Sequence, residues 1–120
     1  MAAFLLKCKV DLPSDAAWAW LVQDAPHLAT LLAAESERLT LSCVGDDPAR
    51  RTVRMELHQG GAVGHFELAL VDDPEGDMAV VWSGAVPEPM EDELEAVLVL
   101  QTVFRRWARR HAQPAPLAPG

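Results

Sequence analysis

Hydrophobic and polar side chains alternate along several short segments of the chain, which predicts β-strands with one buried face. The first segment runs from Phe4 to Asp11. The same alternation returns in three later segments. Their inward positions are Leu39, Leu41 and Cys43, then Val53, Met55 and Leu57, and then Phe66, Leu68 and Leu70. Residues 78–86 are apolar in both phases, which is typical of a strand covered on both sides or bordering a cavity.

The third and fourth of these strands are predicted to form a hairpin around Gly60-Gly61. A two-residue loop at this point places Glu56 opposite His65 and Arg54 opposite Glu67. Opposite charges then face each other on both rungs. A register longer by one rung per strand would set Glu56 against Glu67, so charge and turn chemistry favour the same pairing.

A helical pattern follows the first strand. Ser14 offers an N-cap directly after a proline, and apolar residues then recur at helical spacing. Pro26 interrupts this pattern, because proline lacks the N–H group that a helix interior requires. The sequence therefore predicts two consecutive short helices, over residues 14–24 and 25–34, rather than one straight rod.

A longer helix is predicted from about residue 89 to residue 112. Four acidic residues lie within 91–95 and four arginines lie near the other end, an order that matches the helix dipole. The alternative is a further strand over the β-branched segment AVLVLQTV, residues 96–103, followed by a shorter helix. We predict one domain over residues 1–112 and a mobile, proline-rich tail over 113–120.

Composition and charge exclude several classes of protein. The chain has 120 residues, half of them hydrophobic, which suits one domain with its own core. Its 10 Lys and Arg stand against 18 Asp and Glu, a net charge of −8 that disfavours a nucleic-acid partner. No apolar run approaches the ~20 residues of a membrane span, and neither cysteine belongs to a CxxC pair. These features predict a cytoplasmic, reduced protein.

Candidate metal ligands and nucleophiles have simpler interpretations. Glu56, His58 and His65 have metal-ligand chemistry, but all three lie on the outer face of the predicted hairpin, where His65 can pair with Glu56. We therefore assign no metal. Cys8 and Cys43 occupy inward positions and are interpreted as small core residues. Because the sequence has no phosphate-binding or nucleophile-elbow motif, we predict no cofactor and assign no catalytic residue.

Residues 10–32, VDLPSDAAWAWLVQDAPHLATLL, resemble the START/polyketide-cyclase-like superfamily, also called SRPBCC or helix-grip proteins. The similar features are a first strand that ends near a proline, Trp18 and Leu21 in the next helix, Asp24 at its end, and a Pro-x-Leu sequence from Pro26. The resemblance implies an α+β fold in which an antiparallel meander of five to seven strands grips a long C-terminal helix. Members usually have seven strands, whereas the pattern here indicates five.

The resemblance also implies an apolar ligand held between the sheet and the C-terminal helix. Six residues are predicted to line this site: Trp18, Phe66, Trp82, Leu100, Phe104 and Trp107. Large aromatic rings offer flat apolar surface to a ligand, and they are equally able to fill a core. A shortened sheet leaves two further alternatives open, a grip filled by the protein's own side chains and a second subunit over the open edge. Trp20 points away from the face of Trp18 and needs a different neighbour.

Several functions are compatible with this fold. The first is binding of a hydrophobic small molecule, lipid-like or polyketide-like, without catalysis; for an enzyme, the resemblance implies a cyclase, aromatase or dehydratase. The second is a dimeric protein-binding module similar to an acidic secretion chaperone, with Leu98 and Val99 at a homodimer contact. The third is a structural subunit with a vestigial cavity. The basic cluster of Arg105, Arg106, Arg109 and Arg110 either complements the end of its helix or binds an acidic partner or a ligand's carboxylate.

Overall fold

The computed structural model describes residues 2–72, 78–86 and 93–109. Its elements are β1 (Ala2–Val10), α1 (Ser14–Glu35), β2 (Thr40–Asp47), β3 (Thr52–Gln59), β4 (Ala62–Asp72), β5 (Met78–Val86) and α2 (Glu93–Trp107). The strands form one antiparallel sheet in the order β1-β5-β4-β3-β2, so β2 to β5 are a meander and β1 joins it beside β5. The predicted α+β class, with an antiparallel sheet of five to seven strands and a C-terminal helix, is confirmed, and the described residues form five strands. The tail predicted over 113–120 lies outside the described residues.

The register of the β3–β4 hairpin is the one that the charges predict. Glu56 pairs with His65 and Arg54 pairs with Glu67 across the two strands. On the other side of β3, the pairing with β2 shifts between Cys43 and Gly45, which is the mark of a β-bulge. A bulge on an edge strand such as β2 disfavours pairing with another chain.

The α1 helix corrects the prediction of two short helices over 14–24 and 25–34. A single helix runs through Pro26 from Ser14 to Glu35. One apolar face continues on both sides of the proline, and its buried residues are Ala17, Leu21, Ala25, Leu28 and Leu32. Proline in a helix interior costs about 3 kcal/mol, whereas burying each leucine contributes about 1.5–3 kcal/mol, so packing against the sheet outweighs the missing hydrogen bond.

The α2 helix agrees with the predicted terminal helix over the residues that are described. The alternative strand over 96–103 is wrong, because this segment lies within α2; positions 89–92 and 110–112 of the predicted helix lie outside the described residues. The buried face of α2 consists of Ala96, Leu100, Val103, Phe104 and Trp107. This face packs against α1 and against β1 and β5. No helix of the described residues is long and apolar enough to cross a membrane.

Candidate functional site

Five aromatic rings lie in consecutive contact between the sheet and the helices. Phe66 contacts Trp82 with ring centroids 5.8 Å apart, and Trp82 stacks on Phe104 at 5.6 Å. Phe104 contacts Trp107 at 5.7 Å, and Trp107 stacks on Trp20 at 5.0 Å. We call these five rings the aromatic chain. Since they come from β4, β5, α2 and α1, the aromatic chain joins the elements that form the grip.

Most of the residues predicted to line a ligand site meet in this interior. Trp82, Leu100 and Trp107 are fully buried, and Phe104 and Phe66 retain only 2% and 3% of their accessible surface. In the described structure these side chains therefore contact one another and form the hydrophobic core.

Trp18 lies apart from the other five predicted residues. Its half-buried side chain packs against the core, but the ring contacts of the described residues do not include it. Trp20 supplies the ring of α1 that reaches α2 instead. The sequence carried one signal for this role, because Trp20 lies on a different side of the helix from Trp18.

The indole of Trp107 is held by a polar contact with α1. Its Nε1–H donates to the Asp24 carboxylate Oδ2 at 2.9 Å and lies 3.3 Å from the Asp24 backbone oxygen. A buried indole N–H requires such an acceptor. At the preceding residue of α2, the Arg106 Nη1 lies 2.6 Å from the Glu35 Oε2. These two contacts attach the C-terminal half of α2 to α1.

Two depressions on the surface flank α2. The first, which we call the mouth depression, has a volume of about 360 Å³ and lies where the segment after α1 and the end of β3 approach the N-terminal half of α2. It is lined by Ser36, Arg38, Leu39, Gln59, Glu95, Ala96 and Val99. Its rim thus carries one positive and one negative side chain above an apolar floor.

The second depression, which we call the edge groove, has a volume of about 280 Å³ and lies between the edge strand β1 and the C-terminal half of α2. It is lined by Leu6, Lys7, Cys8, Phe104, Arg105, Ala108 and Arg109. Phe104 belongs both to this lining and to the aromatic chain. The edge groove therefore connects the surface with the aromatic interior through one ring.

The two cysteines differ in exposure. Burial raises the pKa of the Cys8 thiol from 9.0 to about 11, against an opposing hydrogen bond with the Val80 backbone, so this half-buried thiol in the edge groove is neutral at neutral pH. Cys43 corrects the prediction of a core residue, because it is exposed. It shares the inward face with Met55, but its strand is the sheet edge and the bulge follows it directly. Desolvation also raises the pKa of the Cys43 thiol, which disfavours a nucleophilic role for both residues.

The histidine cluster on the outer face of the hairpin is paired differently from the prediction. The Glu56 Oε1 lies 3.3 Å from the Nε2 of His58, its neighbour on the same face of β3, although the strand register sets Glu56 opposite His65. Within the described ranges, no group of three or more His, Cys, Asp or Glu side chains is arranged to hold a metal ion.

The basic cluster of α2 divides into residues with different surroundings. Arg106 pairs with Glu35, whereas Arg105 and Arg109 line the edge groove. Arg110 lies outside the described residues. Within this cluster, Arg106 thus joins α2 to α1, whereas Arg105 and Arg109 face the edge groove.

Comparison with known proteins identifies the fold. No family model and no curated protein matches the chain. Among solved structures, a protein from Nitrosospira multiformis superposes with a TM-score of 0.62 at 14% identity, covering 93% of this chain and 97% of that one. Major latex-like protein 151 from Panax ginseng superposes with a TM-score of 0.55 at 14% identity, covering 92% of this chain and 97% of that one. A protein from Chromobacterium violaceum gives 0.50 at 11% identity, covering 93% and 98%. The chain has a START/polyketide-cyclase-like, helix-grip fold, as the resemblance implied.

Proposed function

We propose that this protein binds a hydrophobic small molecule, lipid-like or polyketide-like, between the sheet and α2. The observation that carries the proposal is the double position of Phe104, whose ring lines the edge groove and stacks on Trp82. A ligand in the groove contacts the aromatic chain without displacing it. Each CH₂ group that leaves water contributes about 0.8 kcal/mol, so a short apolar chain suffices for measurable binding.

The residues predicted to line the site take different parts in this proposal. Phe104 contacts the ligand directly, with Leu6 and Ala108 beside it in the groove lining. Trp82 and Trp107 contact the Phe104 ring, Phe66 contacts Trp82, and Leu100 belongs to the same buried core. Trp18 supports the site from α1, because its half-buried ring packs against the core. A groove of about 280 Å³ lies near the lower end of small-molecule pocket sizes, which favours a small ligand.

The side chains that line the edge groove favour binding without catalysis. A cyclase, aromatase or dehydratase needs a general acid or base beside the ligand. Among the described residues that line the edge groove, the ionisable side chains are Lys7, Arg105, Arg109 and the neutral thiol of Cys8. None of these is a carboxylate or an imidazole, the groups that most often act as general acid or base, and we assign no catalytic residue.

The test is a titration of ¹⁵N-labelled protein with 1-decanol, read from the four indole N–H signals. We expect saturable shifts of the Trp82 and Trp107 signals, because both rings contact Phe104. Ala108→Leu fills the groove and should weaken binding about tenfold, the effect of losing about 1.4 kcal/mol of contact. Ala34→Leu, the same change at an exposed position of α1, is the matched control. Linear, unsaturable shifts up to the solubility limit of decanol would contradict the proposal.

A dimeric module is the second candidate, and one observation favours it. Leu98 is 53% exposed on α2, a large apolar side chain that a second copy of the chain would cover. Val99, the other residue predicted for this contact, is half-buried and lines the mouth depression. A homodimer contact therefore centres on Leu98 alone.

A further inference from the structure

The edge groove differs from the other described depressions in its charge. Lys7, Arg105 and Arg109 lie on its rim, and its described lining includes no carboxylate. The chain as a whole has a net charge of −8, so the charge at this rim is opposite in sign to the net charge of the protein. A ligand approaching the groove meets a local field that favours an anion.

Three other depressions, all lined by described residues, each carry at least one acidic side chain. Glu95 faces the mouth depression together with Arg38. Glu56 and Glu67 line a depression on the outer face of the sheet, and Asp46 lines one between α1 and β2. Within the described part of the chain, an anionic ligand is therefore best accommodated at the edge groove.

The spacing of the two arginines supports the same conclusion. Arg105 lies in the last turn of α2 and Arg109 lies four residues on, just past the end of that helix; within the described residues neither forms an ion pair. Like charges at this spacing on a helix repel each other. Arg106 between them is already paired with Glu35 at 2.6 Å. A bound anion would relieve the repulsion that the protein itself leaves between Arg105 and Arg109.

The floor of the groove is apolar, whereas its rim is charged. Phe104 and Ala108 are buried, Leu6 is half-buried, and the Cys8 thiol beside them is neutral. A charged rim above an apolar floor is complementary to an amphipathic molecule, whose tail lies on the floor while its head group stays at the rim.

We infer that the ligand of this groove carries a carboxylate, which lies between the guanidinium groups of Arg105 and Arg109 while the apolar tail lies on Phe104. Guanidinium groups match a carboxylate through pairs of parallel N–H···O hydrogen bonds. This inference rests on the proposed function and names the chemical class of its ligand.

The experiment compares decanoate with 1-decanol, which have the same number of carbons and differ in the charged head group. Both are titrated at low ionic strength into the wild-type protein and into the variant Arg105→Gln/Arg109→Gln, with the indole signals as the readout. We expect the wild type to bind decanoate about fivefold to tenfold more tightly than decanol, the scale of two partly solvated ion pairs. The double variant should lose this preference and keep its affinity for decanol.

A variant with the same change in net charge controls for long-range electrostatics. Arg38→Gln/Arg50→Gln removes two exposed positive charges away from the groove and should retain the preference for decanoate. Added NaCl should weaken decanoate binding and leave decanol binding unchanged. All four substituted arginines lie on the surface or at a rim, where neutral replacement leaves folding intact.

The outcomes separate the two proposals. If neither probe binds, the proposed function fails and the inference falls with it. If both probes bind equally well to the wild type, ligand binding stands and the carboxylate inference is overturned. An equal loss of decanoate binding in the Arg38→Gln/Arg50→Gln variant also overturns it, because the head group is then not recognised by Arg105 and Arg109.

Discussion

Gly84 determines where the first ring of the aromatic chain lies. This glycine pairs with Phe66 across β4 and β5, and the Phe66 ring packs directly over it. A Cβ atom at residue 84 would lie 2.6 Å from the Phe66 Cγ and 2.7 Å from the His65 backbone oxygen. Because the second of these neighbours is backbone, a larger residue cannot be accommodated by a side-chain rotation alone.

We expect Gly84→Ala to lower the free energy of unfolding by about 1–3 kcal/mol, the usual cost of overpacking a core. Urea denaturation followed by circular dichroism measures the effect. The matched control is Gly61→Ala, where a Cβ would meet no atom within 4 Å.

A second variant identifies the cause of the Gly84→Ala effect. Combining Gly84→Ala with Phe66→Ala should cost less than the sum of the single changes, because alanine lacks the ring atoms that the new Cβ would meet and leaves only the His65 backbone contact. Additive costs would show that the Phe66 ring is not what requires glycine at residue 84.

At the scale of elements, α1 retains a helical path through a residue that opposes it. Pro26 is exposed, and it follows the buried Ala25 on the same continuous helix. The carbonyl of Val22 loses its helical donor at this point, but Val22 is 37% exposed, so water can reach this part of the helix. Packing elsewhere on α1 outweighs the cost of the proline but does not remove it, so replacing Pro26 should make the folded protein more stable.

Pro26→Ala should raise the free energy of unfolding by about 1–3 kcal/mol, since alanine restores the missing hydrogen bond and has the highest helix propensity. The midpoint of thermal unfolding is the measurement. Pro13→Ala, just before the first residue of α1, serves as the control and should change stability by less than about 0.5 kcal/mol. An unchanged or lower midpoint for Pro26→Ala would indicate that the helix is adapted to the proline.

The sequence predicts those elements whose determinants lie close together in the chain. The β3–β4 register follows from the Gly60-Gly61 turn and from charges within a few residues of it. The division of α1 at Pro26 was predicted wrongly, because the local penalty of proline is overcome by burial against distant strands. The edge groove had no signal in the pattern, since Leu6 and Arg105 meet only through the fold.

At the scale of the whole molecule, the sheet and α2 hold an interior filled by side chains. The five described strands and α2 enclose the aromatic chain, whose rings contact one another. The predicted site residues are thus brought together mainly as a core. Fold alone does not assign function, and the proposed binding depends on the groove that α2 forms with the sheet edge.

The homodimer proposed through Leu98 makes a prediction at the same scale. Light scattering should then give a mass twice the 13.1 kDa of one chain, and Leu98→Glu should return it to that of a single chain. A charged residue in an apolar contact leaves an unpaired charge buried, which strongly disfavours association. Thr30→Glu, at an exposed position of α1, is the control. A single-chain mass for the wild type would contradict the dimer and would leave ligand binding unaffected.

The position of β1 in the sheet also affects the order in which the chain can assemble on the ribosome. β1 is translated well before β5, over Met78–Val86, which is its neighbouring strand in the sheet. At about 5–20 residues per second, the nascent chain carries β1 for several seconds before β5 leaves the exit tunnel. During this interval the apolar side chains of β1 have no sheet to join. Docking of β1 onto β5 must therefore be a late step of biosynthesis.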